Sequence, residues 1–193
     1  MLRRFLAIGF ITMAGFVMME STMVLFLDKI FGLKEAGTGW YFAYIGCIII
    51  FVQGRMIGPL TRRWGEWPLA IAGPIFVALG MAGLTATAFA PVFAVLLLAG
   101  ACNAVGRSLQ TPTLTALLSR FTPRNQQGVV FGLFQGLGSL ARVAGPVIAG
   151  LAYPYVRNTG QFLVAGLIAL VAASWTFTLR RFERQAPPAL HPS

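Results

Sequence analysis

Three ionisable residues fall deep inside long apolar runs of this chain: Glu20, Arg107 and Arg142. A charge held in hydrocarbon is costly, and such a residue is a functional candidate by default. Their depths agree. Glu20 lies about 15 residues into its run, which places it about 22 Å from one end at 1.5 Å per residue. Arg142 lies at a matching position in a run of the same direction, and Arg107 precedes Arg120, at the end of its own run, by a similar distance. One carboxylate facing two arginines can form a structural ion pair, carry a proton or a substrate, or face a cavity without coupling, and the residue types leave all three open. Asn103, Gln110 and Gln135 share these runs. Such amides line polar cavities or hydrogen-bond neighbouring helices, and the second use is expected for at least one of them. Gln53 and Arg55 sit near the end of a run, where Arg55 can extend its head to an interface.

Other chemistry is thinly represented. No histidine falls within a run, no Ser-His-Asp set can be assembled, and no Gly-x-x-x-x-Gly-Lys phosphate loop is present. Cys47 and Cys102 lack metal-ligand spacing and read as small packing residues. The sequence therefore points to no enzyme, no metal and no cofactor.

The elements that must position these residues are six apolar stretches, over about 5–27, 37–60, 68–90, 92–118, 127–153 and 160–179. A membrane helix needs roughly 20 apolar residues. Hydrophobic residues make up 57% of the 193 and charged ones 10%, a balance too apolar for a soluble domain of this size. The expected class is an all-α membrane protein of six transmembrane helices, embedded in lipid, with a Pro-rich disordered tail over 185–193 that contains His191. A β-barrel would show short alternating segments instead.

The net charge of +10 does not indicate nucleic acid, because no basic patch lies on a foldable soluble surface. The arginines alternate between loops. Arg3, Arg4, Arg62, Arg63, Arg120, Arg124, Arg180, Arg181 and Arg184 fall on one side, and Lys29, Lys34 and Arg157 on the other. The positive-inside rule then places both termini in the cytoplasm. Trp40, Tyr41, Tyr153 and Tyr155 mark one interface, and Trp64 and Trp67 the other.

Gly46, Gly54 and Gly58 share a face of the second helix, and Gly128, Gly132 and Gly136 recur every fourth residue on the fifth. Small residues at this spacing let membrane helices approach closely, in static packing or along a sliding contact. Pro112 and Pro146 lie deep in the fourth and fifth spans and are expected to kink them. Pro68 suits the first turn of the third helix, and Thr122 with Pro123 suits the start of the fifth.

The turn after the second span, Gly58-Pro59-Leu60-Thr61-Arg62-Arg63-Trp64-Gly65-Glu66, resembles the loop motif of the major facilitator superfamily. In the first half of those transporters that motif reads Gly-x-Leu-Ala-Asp-Arg-x-Gly-Arg-Arg. Gly58, Leu60, Arg63 and Gly65 match it. Arg62 stands where the acidic residue would be and Glu66 where a basic one would be, which is similar to the degenerate copy in the second half. Ala141-Arg142-Val143-Ala144-Gly145-Pro146-Val147-Ile148-Ala149-Gly150 resembles the Gly-Pro element of drug antiporters. Pro112-Thr113-Leu114-Thr115-Ala116-Leu117-Leu118-Ser119-Arg120, followed by Gln127-Gly128, resembles the tenth-to-eleventh helix region of tetracycline/proton and multidrug antiporters. The resemblance covers about residues 5–180.

It implies the C-terminal six-helix half of such a transporter in the bacterial inner membrane. The implied activity is proton-coupled efflux of small amphipathic molecules such as drugs. A second six-helix bundle, from an identical copy or a separate N-terminal half, would complete the cavity. A non-transporting membrane fragment or scaffold and a small six-helix channel are the alternatives.

Overall fold

The computed structural model describes residues 2–185, without the side chains of 152–159, 184 and 185. The side chains of Tyr153, Tyr155, Arg157 and Arg184, and the tail with His191, lie outside the described residues. Six helices are long and apolar enough to cross a membrane: α1 Leu2–Phe31, α2 Glu35–Trp64, α3 Glu66–Thr87, α4 Phe93–Arg120, α5 Arg124–Leu151 and α6 Gly160–Glu183. The shortest has 22 residues, or about 33 Å at 1.5 Å per residue, which matches the thickness of a bilayer core.

The helix ends follow local chemistry. α1 stops at Gly32, whose φ of 64° only glycine adopts freely. Gly32 N donates to Asp28 O and Leu33 N to Leu27 O, two nested bonds that satisfy carbonyls of the last turn. One residue, Gly65, joins α2 to α3 with φ 78° and ψ 174°, a region essentially reserved for glycine. Pro68 sits in the first turn of α3. Thr122 does not start α5. Its hydroxyl donates back to Leu118 O at 2.6 Å and closes α4, while a short 3₁₀ turn over Arg124–Gln126 leads into α5.

The backbone is helical throughout Gln127–Gln185, yet it doubles back. Gln161 Nε2 donates to Ala149 O at 3.0 Å, whereas 12 residues of straight helix would separate those positions by about 18 Å. α1 confirms the reversal. A side chain at Gly9 would meet Phe134, and one at Gly145 would meet Val17, so α5 runs parallel to α1. Phe26 packs on Phe162 at 4.8 Å and Arg4 lies over Phe182 at 5.4 Å, so α6 runs antiparallel. The two ends of the described chain therefore lie at the same end of the bundle, beside Arg120, which pairs with Glu183 at 3.6 Å.

The closest helix contact is α3 against α4. A Cβ on Gly73 would lie 2.8 Å from Gly106 O, one on Gly80 2.7 Å from Ala99 O, and one on Gly106 2.5 Å from Gly73 O. Bare backbone at these three points lets the two helices touch. The glycines singled out by spacing do not serve this purpose. Gly46, Gly54, Gly128, Gly132, Gly136 and Gly150 each face open space, and Gly58 meets only the end of Arg62.

Apolar clusters fill both ends of the core, with a few buried polar residues such as Asn103, Ser108 and Gln110 between the helices. Phe5, Trp67, Leu117, Leu118 and Leu179 fill the basic end, and Met23, Phe26, Leu27, Leu84, Leu96 and Phe162 fill the other. Trp67 is thus buried against Phe5 and Phe121 rather than set at an interface, and Tyr41 is likewise buried. Trp40 and Trp64 remain exposed. A π-helical turn, Val52–Met56, interrupts α2. The helical backbone passes unbroken through Pro74 and Pro112 of α3 and α4 and through Pro146 of α5.

Candidate functional site

A cleft opens between α1, α2, α4 and α5, and it gathers the charged residues of the spans. Helical spacing brings them there. Thr12, Phe16 and Glu20 recur every fourth residue on α1. Asn103, Arg107 and Gln110 lie on one face of α4, and Gln135, Gly138 and Arg142 on one face of α5. The cleft has two compartments.

The first, of about 160 Å³, is lined by Gly9, Thr12 and Met13 of α1, Arg107, Gln110, Thr111 and Leu114 of α4, and Phe134, Gln135, Gly138 and Arg142 of α5. The second, of about 190 Å³, is lined by Phe16, Met19, Glu20 and Met23 of α1, Tyr41, Phe42, Ile45, Gly46 and Ile49 of α2, Leu84 of α3, and Gly100 and Asn103 of α4. The first is rich in hydrogen-bond donors. The second is aromatic and methionine-rich around a single carboxylate.

Arg107 forms the wall between them. Its guanidinium lies 3.5 Å from the centroid of the Phe16 ring, and Nη2 lies 3.9 Å from Met13 Sδ. Stacking a cation on an aromatic face stabilises it by about 0.5–2 kcal/mol, the larger value where water is excluded. Arg107 also lies within electrostatic reach of both Glu20 and Arg142. Among the described residues, however, no ion pair joins Glu20 to either arginine. Glu20 and Arg142 are exposed to the cleft, as is Gln135. The charges converge without neutralising one another in contact.

The amides divide between the two roles open to them. Asn103 is buried and donates to Met81 Sδ of α3 at 3.7 Å, so it links helices while its residue lines the second compartment. Gln110 is buried at the edge of the first compartment, and its Nε2 has no hydrogen-bond partner. Sequence reasoning did not single out Phe16, Met13 or Thr12, and it read Tyr41 as an interface marker rather than a cleft residue. The i, i+4 spacing of Thr12, Phe16 and Glu20 was the signal that could have found the first of them.

The loop motif lies apart, at the basic end. Gly58, Arg62 and Glu66 line a groove with Ile57 and Thr61 against Pro112, Thr113 and Ala116 of α4. Arg62 and Arg63 are exposed and form no ion pair with Glu66 among the described residues. Leu60 packs on Val52, Leu69 and Leu109. Of the Gly-Pro element, Gly145 does bring backbones together, because a Cβ there would lie 2.7 Å from Val17. Pro146 is exposed. Among the described residues no group of three or more His, Cys, Asp and Glu could hold a metal ion.

The family model of the major facilitator superfamily matches residues 5–192. The chain belongs to that superfamily. Members of the family are transporters rather than enzymes, and the six-helix architecture is consistent with one half of the family's fold.

The chain is 32% identical over 152 residues to the tetracycline resistance protein, class C, of Escherichia coli, covering 78% of this chain and 36% of that protein. It is 27% identical over 133 residues to a chloramphenicol resistance protein of Pseudomonas aeruginosa, covering 67% and 31%. It is 30% identical over 143 residues to a gentisate transporter of Corynebacterium glutamicum, covering 74% and 30%. The chain thus spans about a third of the length of these curated relatives. It is an integral membrane protein of a small-molecule transport family, related to drug-resistance and efflux proteins.

Proposed function

We propose that this chain provides the C-terminal six-helix half of a transporter that exports small amphipathic molecules across the bacterial inner membrane, coupled to protons at Glu20. The observation that carries this reading is the open cleft. It exposes Glu20, Arg142 and Gln135 on helices otherwise apolar, with Arg107 between its two compartments. Left against lipid, an arginine or carboxylate near a helix centre costs roughly 2.5–3.5 kcal/mol. A second six-helix bundle, from an identical copy or a separate N-terminal half, would cover the cleft and enclose a substrate between two halves that rock past each other. The bare glycines of α2 and α5 would let its helices approach. The compounds that the relatives' names carry, tetracycline, chloramphenicol and gentisate, suit a cavity that pairs aromatic and polar walls.

Native mass determination after mild extraction, combined with efflux from proteoliposomes under an imposed proton gradient, tests the proposal. Efflux is expected only from an assembly that holds two six-helix bundles. A single copy that exports substrate alone overturns the partnership. An assembled protein that carries nothing, across a panel of amphipathic substrates, overturns transport in favour of a membrane scaffold.

A further inference from the structure

The two compartments of the cleft differ in charge, and the difference defines a class of ligand. Arg107 and Arg142 both line the compartment between α1, α4 and α5, and no carboxylate lines it. Glu20 lies in the neighbouring compartment, on the far side of the Phe16–Arg107 stack. The walls of the cleft therefore carry two positive charges and one negative one, with the surplus at the Arg142 end. Two further features of that compartment favour an anion. Gln110 is 5% exposed and its Nε2 donor is unsatisfied. Thr111 of α4 adds a hydroxyl to the same compartment, whereas that of Thr12 donates to Ile8 O of its own helix at 2.7 Å. An unpaired buried donor and an unpaired guanidinium are both relieved by an acceptor carrying negative charge. The neighbouring walls of Phe16, Met19, Met23 and Tyr41 offer an apolar, polarizable bed, and Glu20 beside them repels a second negative charge placed at that end.

We propose that the cleft selects small amphipathic molecules with an anionic group at one end, a carboxylate or ionised phenol, held by Arg107, Arg142 and Gln110, with the apolar body over Phe16 and the methionines. The proposal deepens the transport reading of the same cleft and rests on it. When a second bundle closes the cleft, the anion offsets the surplus charge that closure would otherwise remove from water. Neutral and cationic analogues leave that charge uncompensated.

Binding to the full chain in lipid nanodiscs tests this without requiring transport. The probes are 2-naphthoate, the neutral 2-naphthamide and the cationic 2-naphthylmethylammonium, which share one apolar body. Naphthoate is expected to bind at least tenfold more tightly than either analogue. Arg142→Gln is expected to weaken naphthoate at least tenfold and to erase the preference, with Arg142→Lys retaining most of it. Gln110→Ala should weaken naphthoate severalfold. Far-UV circular dichroism and size-exclusion profiles establish that each variant is folded. Equal binding of all three probes, tighter binding of the cation, or a folded Arg142→Gln protein that keeps the preference overturns the ligand class and leaves the transport reading standing. Absence of binding by every probe to a folded chain overturns both the ligand class and the cleft as a substrate site.

Discussion

At the scale of single residues, Glu20 is the test of coupling. It is exposed in the cleft, close enough to Arg107 to act on it, and not held by an ion pair among the described residues. A carboxylate free of a fixed partner can be replaced by its amide without unfolding its surroundings. Glu20→Gln is therefore expected to insert and fold normally while abolishing the proton dependence of efflux in an assembled transporter. Wild-type efflux with unchanged pH dependence would remove Glu20 from the mechanism, and failure to insert would make it structural. The sequence showed that Glu20, Arg107 and Arg142 share a depth, but depth leaves rotation about the helix axis undetermined. The structure supplies the rotation, and with it the stack of Arg107 on the ring of Phe16. An ion pair was one reading of one carboxylate near two arginines; the stack on Phe16 gives Arg107 a different partner.

At the scale of helices, apolar length made all six spans legible, because hydrocarbon thickness sets the length and nothing else in the chain competes with it. The contacts between helices were less legible. The glycine spacing on α2 and α5 is real, yet those glycines face open space, while Gly73, Gly80 and Gly106 bring α3 and α4 into contact. Spacing identifies a smooth face and is silent on what meets it. The π-helical turn of α2 left no mark in an apolar run that suits either helix type.

These differences set up a comparison. Gly106→Ala places a methyl group against the backbone of α3 and is expected to destabilise the bundle by about 1–3 kcal/mol. Gly132→Ala, in open space within a helix, is expected to leave the thermal stability of the isolated bundle equal or up to about 1 kcal/mol higher, because alanine is the better helix former. Gly65→Ala should lose about 1–3 kcal/mol, because its backbone region excludes a side chain. Thermal melts in detergent, monitored by tryptophan fluorescence, measure all three. Equal losses at positions 106 and 132 would contradict the observed packing.

At the scale of the whole molecule, the even number of helices and the α1–α6 contacts bring Arg4 and Phe182 together at the end that carries Arg62, Arg63 and Arg120. We propose that this end is cytoplasmic, as the positive-inside rule expects. In a variant with Cys47 and Cys102 replaced by alanine, Lys34→Cys should react with an impermeant maleimide from outside intact cells, and Arg63→Cys should not. The reverse pattern would invert the topology.

The burial of the helices is uneven. Half of the most apolar stretch of α3 and of α4 is buried, but only 6% of that of α2, whose ladder is also broken by the Val52–Met56 turn. A helix with few buried contacts and an irregular hydrogen-bond register is less tied to its neighbours than α3 or α4, although lipid still holds its backbone bonds closed. In detergent, amide hydrogen exchange should therefore reach the Val52–Met56 turn of α2 before it reaches the middle of α3 or α4. We propose that in a transporter of two halves α2 is the compliant wall of the cleft, set against the fixed frame of the α3–α4 pair, so that the exposed Phe42 it carries beside Glu20 is withdrawn and restored without disturbing the arginines opposite.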